Sequence, residues 1–159
     1  MSKLPTKILN FRNIAIIILI AIFFVSDRLL KNLALNNQPS TPKKLIGDFF
    51  LFNFTENSRM AFSLPWGGTS LIIVATLVSI LIFYLIIKNI YQERRVTIST
   101  IALTIILLGA INNLIDRFLY GFVIDYLELK NFTVFNLADA MISTSALFFL
   151  VYTLTLTKK

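Results

Sequence analysis

Three acids in this chain sit where acids are costly. Asp116 closes an apolar run in Gly109-Ala-Ile-Asn-Asn-Leu-Ile-Asp-Arg117, Asp125 follows the apolar Gly121-Phe-Val-Ile124, and Asp139 opens another long apolar run. A carboxylate placed where a membrane-length apolar helix meets the surface is a functional-site candidate by default. Two such groups brought together in a poorly solvated place resist ionising together and share a proton near neutral pH. A proton-sharing pair of carboxylates activates water, which is aspartic-peptidase chemistry. Asp125 and Asp139 bracket a short stretch with a strand-like character and form the expected pair.

Composition narrows the alternatives. The chain has 159 residues, 57% of them hydrophobic and only 14% charged, against about 25% charged in an ordinary soluble domain. It therefore reads as one integral membrane domain over residues 1–159. Cysteine and histidine are both absent, which removes the usual zinc sites, the Ser-His-Asp triad and any thiol nucleophile. Carboxylates remain for acid–base work, and no cofactor or metal is expected.

The acids must be positioned by membrane helices. Four apolar stretches predict spans over roughly 10–30, 69–87, 96–115 and 138–156, close to the ~20 residues a spanning helix needs. Lys3, Lys7 and Arg12 before the first run resemble the start of a signal peptide, but no small-residue cleavage site follows, so an uncleaved first helix is expected. With Lys88, Arg94, Arg95, Lys158 and Lys159 these bases mark one side of the membrane. That side holds eight bases and one acid, Glu93, and so the whole net charge of +7, whereas the other holds seven of each. Dense Lys and Arg mark the cytoplasmic side, so both termini are expected there. Bases in such positions argue against nucleic-acid binding and for contact with anionic membrane lipid.

On the other side, residues 31–68 and 116–137 are expected to carry extracytoplasmic structure. Residues 29–37 predict a short interfacial helix with Arg28 and Lys31 toward headgroups, broken by Pro39 and Pro42. Residues 48–54 and 132–135 predict strands of one substrate wall, with Thr55-Glu-Asn-Ser58 as a turn.

Each polar constellation also has a bland explanation. Asp27 and Lys31, four apart, form on spacing alone a routine interfacial ion pair. Asn57 is an ordinary turn residue, and Phe62 and Trp66 serve equally as interface anchors. Asn112, Asn113, Asp116 and Arg117 crowd two helical turns, more polarity than ending a helix requires. Asn136 is a good N-cap, and Asp139 three residues on would complement the helix dipole. Capping does not account for Asp125, whereas a pair accounts for both acids.

Taken in order, these blocks resemble the lipoprotein signal peptidase family, the type II signal peptidases. The residues that carry the resemblance are Asp27-Arg-Leu-Leu-Lys31, Asn57-Ser-Arg-Met-Ala-Phe62, Asn113-Leu-Ile-Asp-Arg117, Gly121-Phe-Val-Ile-Asp125 and Phe135-Asn-Leu-Ala-Asp139. The resemblance implies an all-α membrane fold: a four-transmembrane-helix bundle with a small extracytoplasmic β-sheet and a short interfacial helix. It implies Asp125 and Asp139 as catalytic, with Asn57, Asn113, Asp116, Arg117, Asn136, Asp27 and Lys31 binding substrate or supporting the site. It also implies a diacylglyceryl-prolipoprotein substrate cut just before the lipidated cysteine, inhibition by globomycin-like cyclic peptides, residence in the bacterial inner membrane, and a monomer. Two positions depart from the family pattern, Arg59 and Asn112, where glycine is usual. A small proton- or cation-coupled transporter using the same aspartates is the alternative reading.

Overall fold

The computed structural model describes residues 11–37, 41–59 and 67–156. Phe62 and Trp66, like Lys3, Lys7, Pro39, Lys158 and Lys159, lie outside them. Four helices cross in alternating directions: α1 (Phe11–Asn37), α2 (Gly68–Glu93), α3 (Ile98–Tyr120) and α4 (Leu137–Leu156). All four are long and apolar enough to span a membrane, and the chain is a multi-pass membrane protein. Large aliphatic side chains such as Ile17, Ile18, Leu77, Ile80 and Leu147 stand more than half exposed. That surface is intolerable in water and natural against lipid.

Four strands cap one end of the bundle as an antiparallel sheet in the order β1 (Lys43–Ile46), β2 (Phe50–Asn57), β3 (Val123–Leu129), β4 (Thr133–Phe135). Gly47 and Asn131, both at positive φ, turn the two outer hairpins. The β2–β3 register sets Thr55 opposite Asp125 and Asn57 opposite Val123, so Asn57 and Asp125 are diagonal neighbours whose side chains can meet. Beneath the sheet, Ile124 and Tyr126 of β3 pack with Ala34 of α1, flanked by Phe52, Phe54 and Leu137.

Several expectations change in detail. The helix expected over 29–37 is not a separate interfacial element, because α1 continues unbroken to Asn37. Residues 55–57 are strand rather than turn, since β2 must run on to pair with Val123 and Ile124. The strand β1 was not anticipated; its Lys-Lys-Leu-Ile sequence lacks an alternating pattern, and all four residues are exposed. α1, α2 and α3 run past the C-terminal ends of their predicted spans, to Asn37, Glu93 and Tyr120, because helical hydrogen bonding continues into their polar ends.

Two glycines make the geometry of the acids possible. Gly121 at φ 83° ends α3, its N–H donating to the Arg117 carbonyl, and releases the chain directly into β3. Gly109 lets α4 approach α3: a Cβ there would lie 2.8 Å from the Ala138 carbonyl oxygen and 2.8 Å from Ile142 Cγ1. Gly109→Ala should therefore push back the first turn of α4, lowering stability by about 1–3 kcal/mol as overpacking does. Thermal unfolding in detergent reads this directly, and an unchanged Tm would mean that the helices are free to separate.

Candidate active site

The start of α4 is where the site is built. A helix leaves its first N–H groups without intrahelical acceptors, and here the first three find partners from three different elements. Leu137 N–H donates to the Tyr126 hydroxyl of β3 at 3.2 Å. Ala138 N–H donates to Asp27 Oδ1 of α1 at 3.2 Å. Asp139 N–H donates to Asn136 Oδ1 at 2.8 Å. Asp139 returns the last bond, its Oδ2 accepting from Asn136 N–H at 3.4 Å, which completes a reciprocal box of the kind known for capping residues. Cap and candidate carboxylate are thus one residue.

Asn136 joins the two acids. Because its Oδ1 accepts from a backbone N–H, its amide nitrogen must face the other way, and it donates to Asp125 Oδ1 at 2.7 Å. Asn57 is fixed by the same logic: its Oδ1 accepts from Arg59 N–H at 3.1 Å, and its Nδ2 donates to Asp125 Oδ2 at 2.9 Å. Asn113 accepts at Oδ1 from the Lys31 ammonium at 2.7 Å, so its Nδ2 faces Asp139 Oδ1, also at 2.7 Å. Lysine only donates, hence the orientation of Asn113 is determined. Three asparagines therefore aim amide N–H groups at the two carboxylates, and both oxygens of each acid accept a bond. Asp125 is 1% exposed. Burial first, and the neighbouring charge of Asp139 second, push its carboxyl up to about 7, against the pull of the Asn57 and Asn136 bonds and of Lys31.

Behind the asparagines lies a charge cluster. Lys31, fully buried, pairs with Asp27 Oδ2 at 3.1 Å and with Asp116 Oδ2 at 2.8 Å. Arg28 reaches Asp116 Oδ1 at 2.6 Å and the Asn112 carbonyl at 3.0 Å. Two acids and two bases cancel, which is the condition under which charges survive so deep. The expectation of a routine surface pair for Asp27 and Lys31 is thus corrected, as is the placement of Arg28 and Lys31 toward headgroups: the end of α1 is covered by α3, β3 and α4 instead. Asp116 belongs to this cluster, and its Oδ2 also accepts from Ile124 N–H at 3.3 Å. Arg117 lies within electrostatic range of Asp139, Asp125 and Asp116, and its Nη2 donates to the Arg59 carbonyl at 3.2 Å.

Tyr126 is a residue that sequence reasoning missed. Its buried hydroxyl donates to Asp27 Oδ1 at 2.9 Å while accepting from Leu137 N–H. Burial and then the charge of Asp27 hold the phenol well above its ordinary range, so it stays protonated and donates. The available signal was slight: one polar-tipped aromatic directly after Asp125 in an apolar strand.

The two positions that depart from glycine leave the acids clear. Neither Arg59 nor Asn112 has positive φ. Asn112 is buried between α1 and α3, its Nδ2 donating to the Phe24 carbonyl at 3.1 Å, and its Oδ1 finds no hydrogen-bond partner among the described residues. Arg59 borders a cavity of about 540 Å³ that also includes Asp125, Glu56 and Thr133. A second cavity of about 310 Å³ holds Asp139 among Leu129, Phe135, Ala140 and Ile142. Asn57, Phe132, Thr133 and Val134 line both, so one acid faces a polar hollow and the other an apolar one.

Comparison with known proteins identifies the family and the fold. The family model for signal peptidase (SPase) II matches residues 19–155. The lipoprotein signal peptidase of Halothermothrix orenii is 33% identical over 139 residues, covering 85% of this chain and 92% of that protein. The lipoprotein signal peptidase of Clostridium tetani is 32% identical over 144 residues, covering 86% and 90%. Two bacterial membrane enzyme structures solved by the in meso method share the fold. One has a TM-score of 0.77 at 19% identity, covering 90% of this chain and 89% of that one. The other has 0.73 at 21%, covering 88% and 92%.

The buried contacts predict graded losses. Tyr126→Phe keeps the ring but leaves Leu137 N–H without its acceptor, for a cost of about 1–3 kcal/mol. Lys31→Met leaves two buried acids facing one arginine and should cost more, about 3–5 kcal/mol. Unfolding midpoints of the two variants in one detergent test the order, and equal midpoints would contradict it.

Proposed function

We propose that this chain, which belongs to the signal peptidase II family, removes signal peptides from bacterial prolipoproteins with Asp125 and Asp139 as its catalytic pair. The family is one of aspartic proteases, and the transporter reading finds no support in the family match. The observation that carries the assignment is Asn136, which donates its side-chain amide to one acid and its backbone N–H to the other. Structural carboxylates need no such shared bridge.

In this reading a water lies between the acids. Asp139, at the positive end of the α4 dipole and backed by Lys31 through Asn113, is ionised and takes the proton of the attacking water. Asp125, whose burial favours the neutral form, holds the proton of the resting pair and donates it to the scissile carbonyl oxygen. The tetrahedral diol then collapses: one of its hydroxyls returns a proton to Asp125, and the proton gained by Asp139 passes to the departing amine of the lipidated cysteine, which restores the resting pair. The pair titrates as a unit, so the proton belongs to the dyad even where one site holds it.

The substrate class in this proposal is the diacylglyceryl-modified prolipoprotein, cut just before its modified cysteine. The apolar cavity beside Asp139 suits lipid-proximal or signal-peptide atoms, and the polar cavity beside Asp125 suits the mature chain. Asn57, Asn113 and Asn136 orient the acids. Asp27, Lys31 and Asp116 hold the frame, and Arg117 fixes the Arg59 backbone at the edge of the site. The protein sits in the bacterial inner membrane with both termini cytoplasmic and the sheet outside, acts as a monomer, and is inhibited by globomycin-like peptides.

Asp125→Asn and Asp139→Asn should each lower cleavage by about 10³-fold or more while the protein still inserts and elutes as the wild type does. A gel-shift assay with diacylglyceryl-modified prolipoprotein in detergent measures this, and substantial turnover by both variants would remove the dyad. The pH dependence has a definite sign. The acid must be protonated to work, and Asp125 loses its proton as pH rises through about 7. Wild-type kcat should therefore fall on the alkaline side of about pH 7, and a rate still climbing to pH 9 would assign the proton elsewhere.

A further inference from the structure

The end of the bundle away from the sheet has a cavity of its own. Four helix ends meet there: the starts of α1 and α3 and the ends of α2 and α4. They enclose about 680 Å³, with Arg12 on one wall, Arg95 on another, and the first residues of α3 between. Both arginines are exposed. Glu93 is the one acid lining the cavity, and it lies 3.8 Å from Arg95, a distant pair in an exposed setting. The amide groups at the start of α3 add the positive end of a helix dipole to the same wall.

This cavity adjoins apolar hollows further along the bundle. Ile98 and Ile101 are shared with a groove of about 400 Å³ between α3 and α4. Ile105, Thr144 and Ser145 are shared in turn with a third hollow of about 240 Å³ between α1 and α4. Three adjoining hollows thus follow one another from two guanidinium groups along an apolar wall. Their polarity is that of an anionic headgroup with an attached acyl chain.

We propose that these hollows form a binding site for an anionic glycerophospholipid, with its phosphate between Arg12 and Arg95 and an acyl chain along α4. The site goes beyond the peptidase reading and uses neither acid of the dyad. A signal-peptide helix fits it less well, because such peptides begin with a basic segment that Arg12 and Arg95 would repel. Guanidinium groups recognise phosphate in fork geometry. Each basic group near an anionic lipid surface contributes about 1 kcal/mol, so two of them imply a preference of roughly 10- to 30-fold for an anionic over a zwitterionic lipid.

The test titrates the purified full chain in neutral detergent with phosphatidylglycerol and with phosphatidylcholine of identical acyl chains, bound lipid being counted by native mass spectrometry. Wild type should prefer phosphatidylglycerol by at least about tenfold, and R12Q/R95Q should abolish the preference. K88Q/R94Q removes the same charge from outside the cavity, Arg94 lying over the Tyr91 ring, and should leave the preference intact. T144W, at an exposed position of the groove, should weaken both lipids alike. Equal binding of the two lipids by wild type would overturn the site. So would preference retained in R12Q/R95Q, or lost equally in K88Q/R94Q.

Discussion

Everything at the sheet end depends on how α4 begins. Its first three N–H groups have no acceptors within the helix, and burial forbids leaving them to water. Tyr126, Asp27 and Asn136 accept them, one from β3, one from α1 and one from the linker itself. A helix start satisfied in this way cannot slide or rotate without breaking several buried bonds. Asp139 sits in that first turn, so its position is set by the same bonds that make the helix end possible.

Electrostatics then decides what can stand behind the acids. Two carboxylates sharing a poorly solvated site need donors, and the donors must themselves be oriented. Lys31 orients Asn113, backbone N–H groups orient Asn57 and Asn136, and each amide is left with one way to point. A buried ammonium is costly alone. Asp27 and Asp116 neutralise it, and Arg28 balances the second acid. The chain thereby keeps a cancelled set of four charged groups at the end of the bundle that holds Asp125 and Asp139.

Much of this was legible in the chain itself, and the illegible part has a clear cause. Asp125, Asp139, Asn113 and Asn136 announced themselves by being polar at the mouths of apolar runs, whereas Asn57 read as a turn residue and stood out only through the family resemblance. The i,i+3 spacing of Asn136 and Asp139 gave the cap correctly, and capping does not exclude the role proposed for Asp139, since the cap leaves its Oδ1 to Asn113. Asp27 and Lys31 at i,i+4 look the same on an exposed helix as on one roofed by α3 and α4, so spacing could not reveal burial. Tyr126 needed the contact between β3 and the start of α4, which is tertiary information. The strand β1, short and exposed, carries no periodicity to detect.

The position of the acids along the bundle follows from competing requirements. A peptide bond must be hydrolysed by water, yet the substrate proposed here remains anchored by acyl chains and an apolar helix. At the midplane the acids would meet the chains but be starved of water, and the cost of any ionised group would be greatest. Fully exposed to solvent they would find water but lose the desolvation that lifts Asp125 to about 7. The chain places Asp125 on a strand and Asp139 on a helix start, at the boundary between a polar cavity and an apolar one. Gly109 and Gly121 matter for the same reason: the first lets α4 reach that boundary, and the second turns α3 back into the sheet before the chain leaves it. The site is therefore less a pocket in a fold than the seam where two solvents meet, held shut by the hydrogen bonds that start α4.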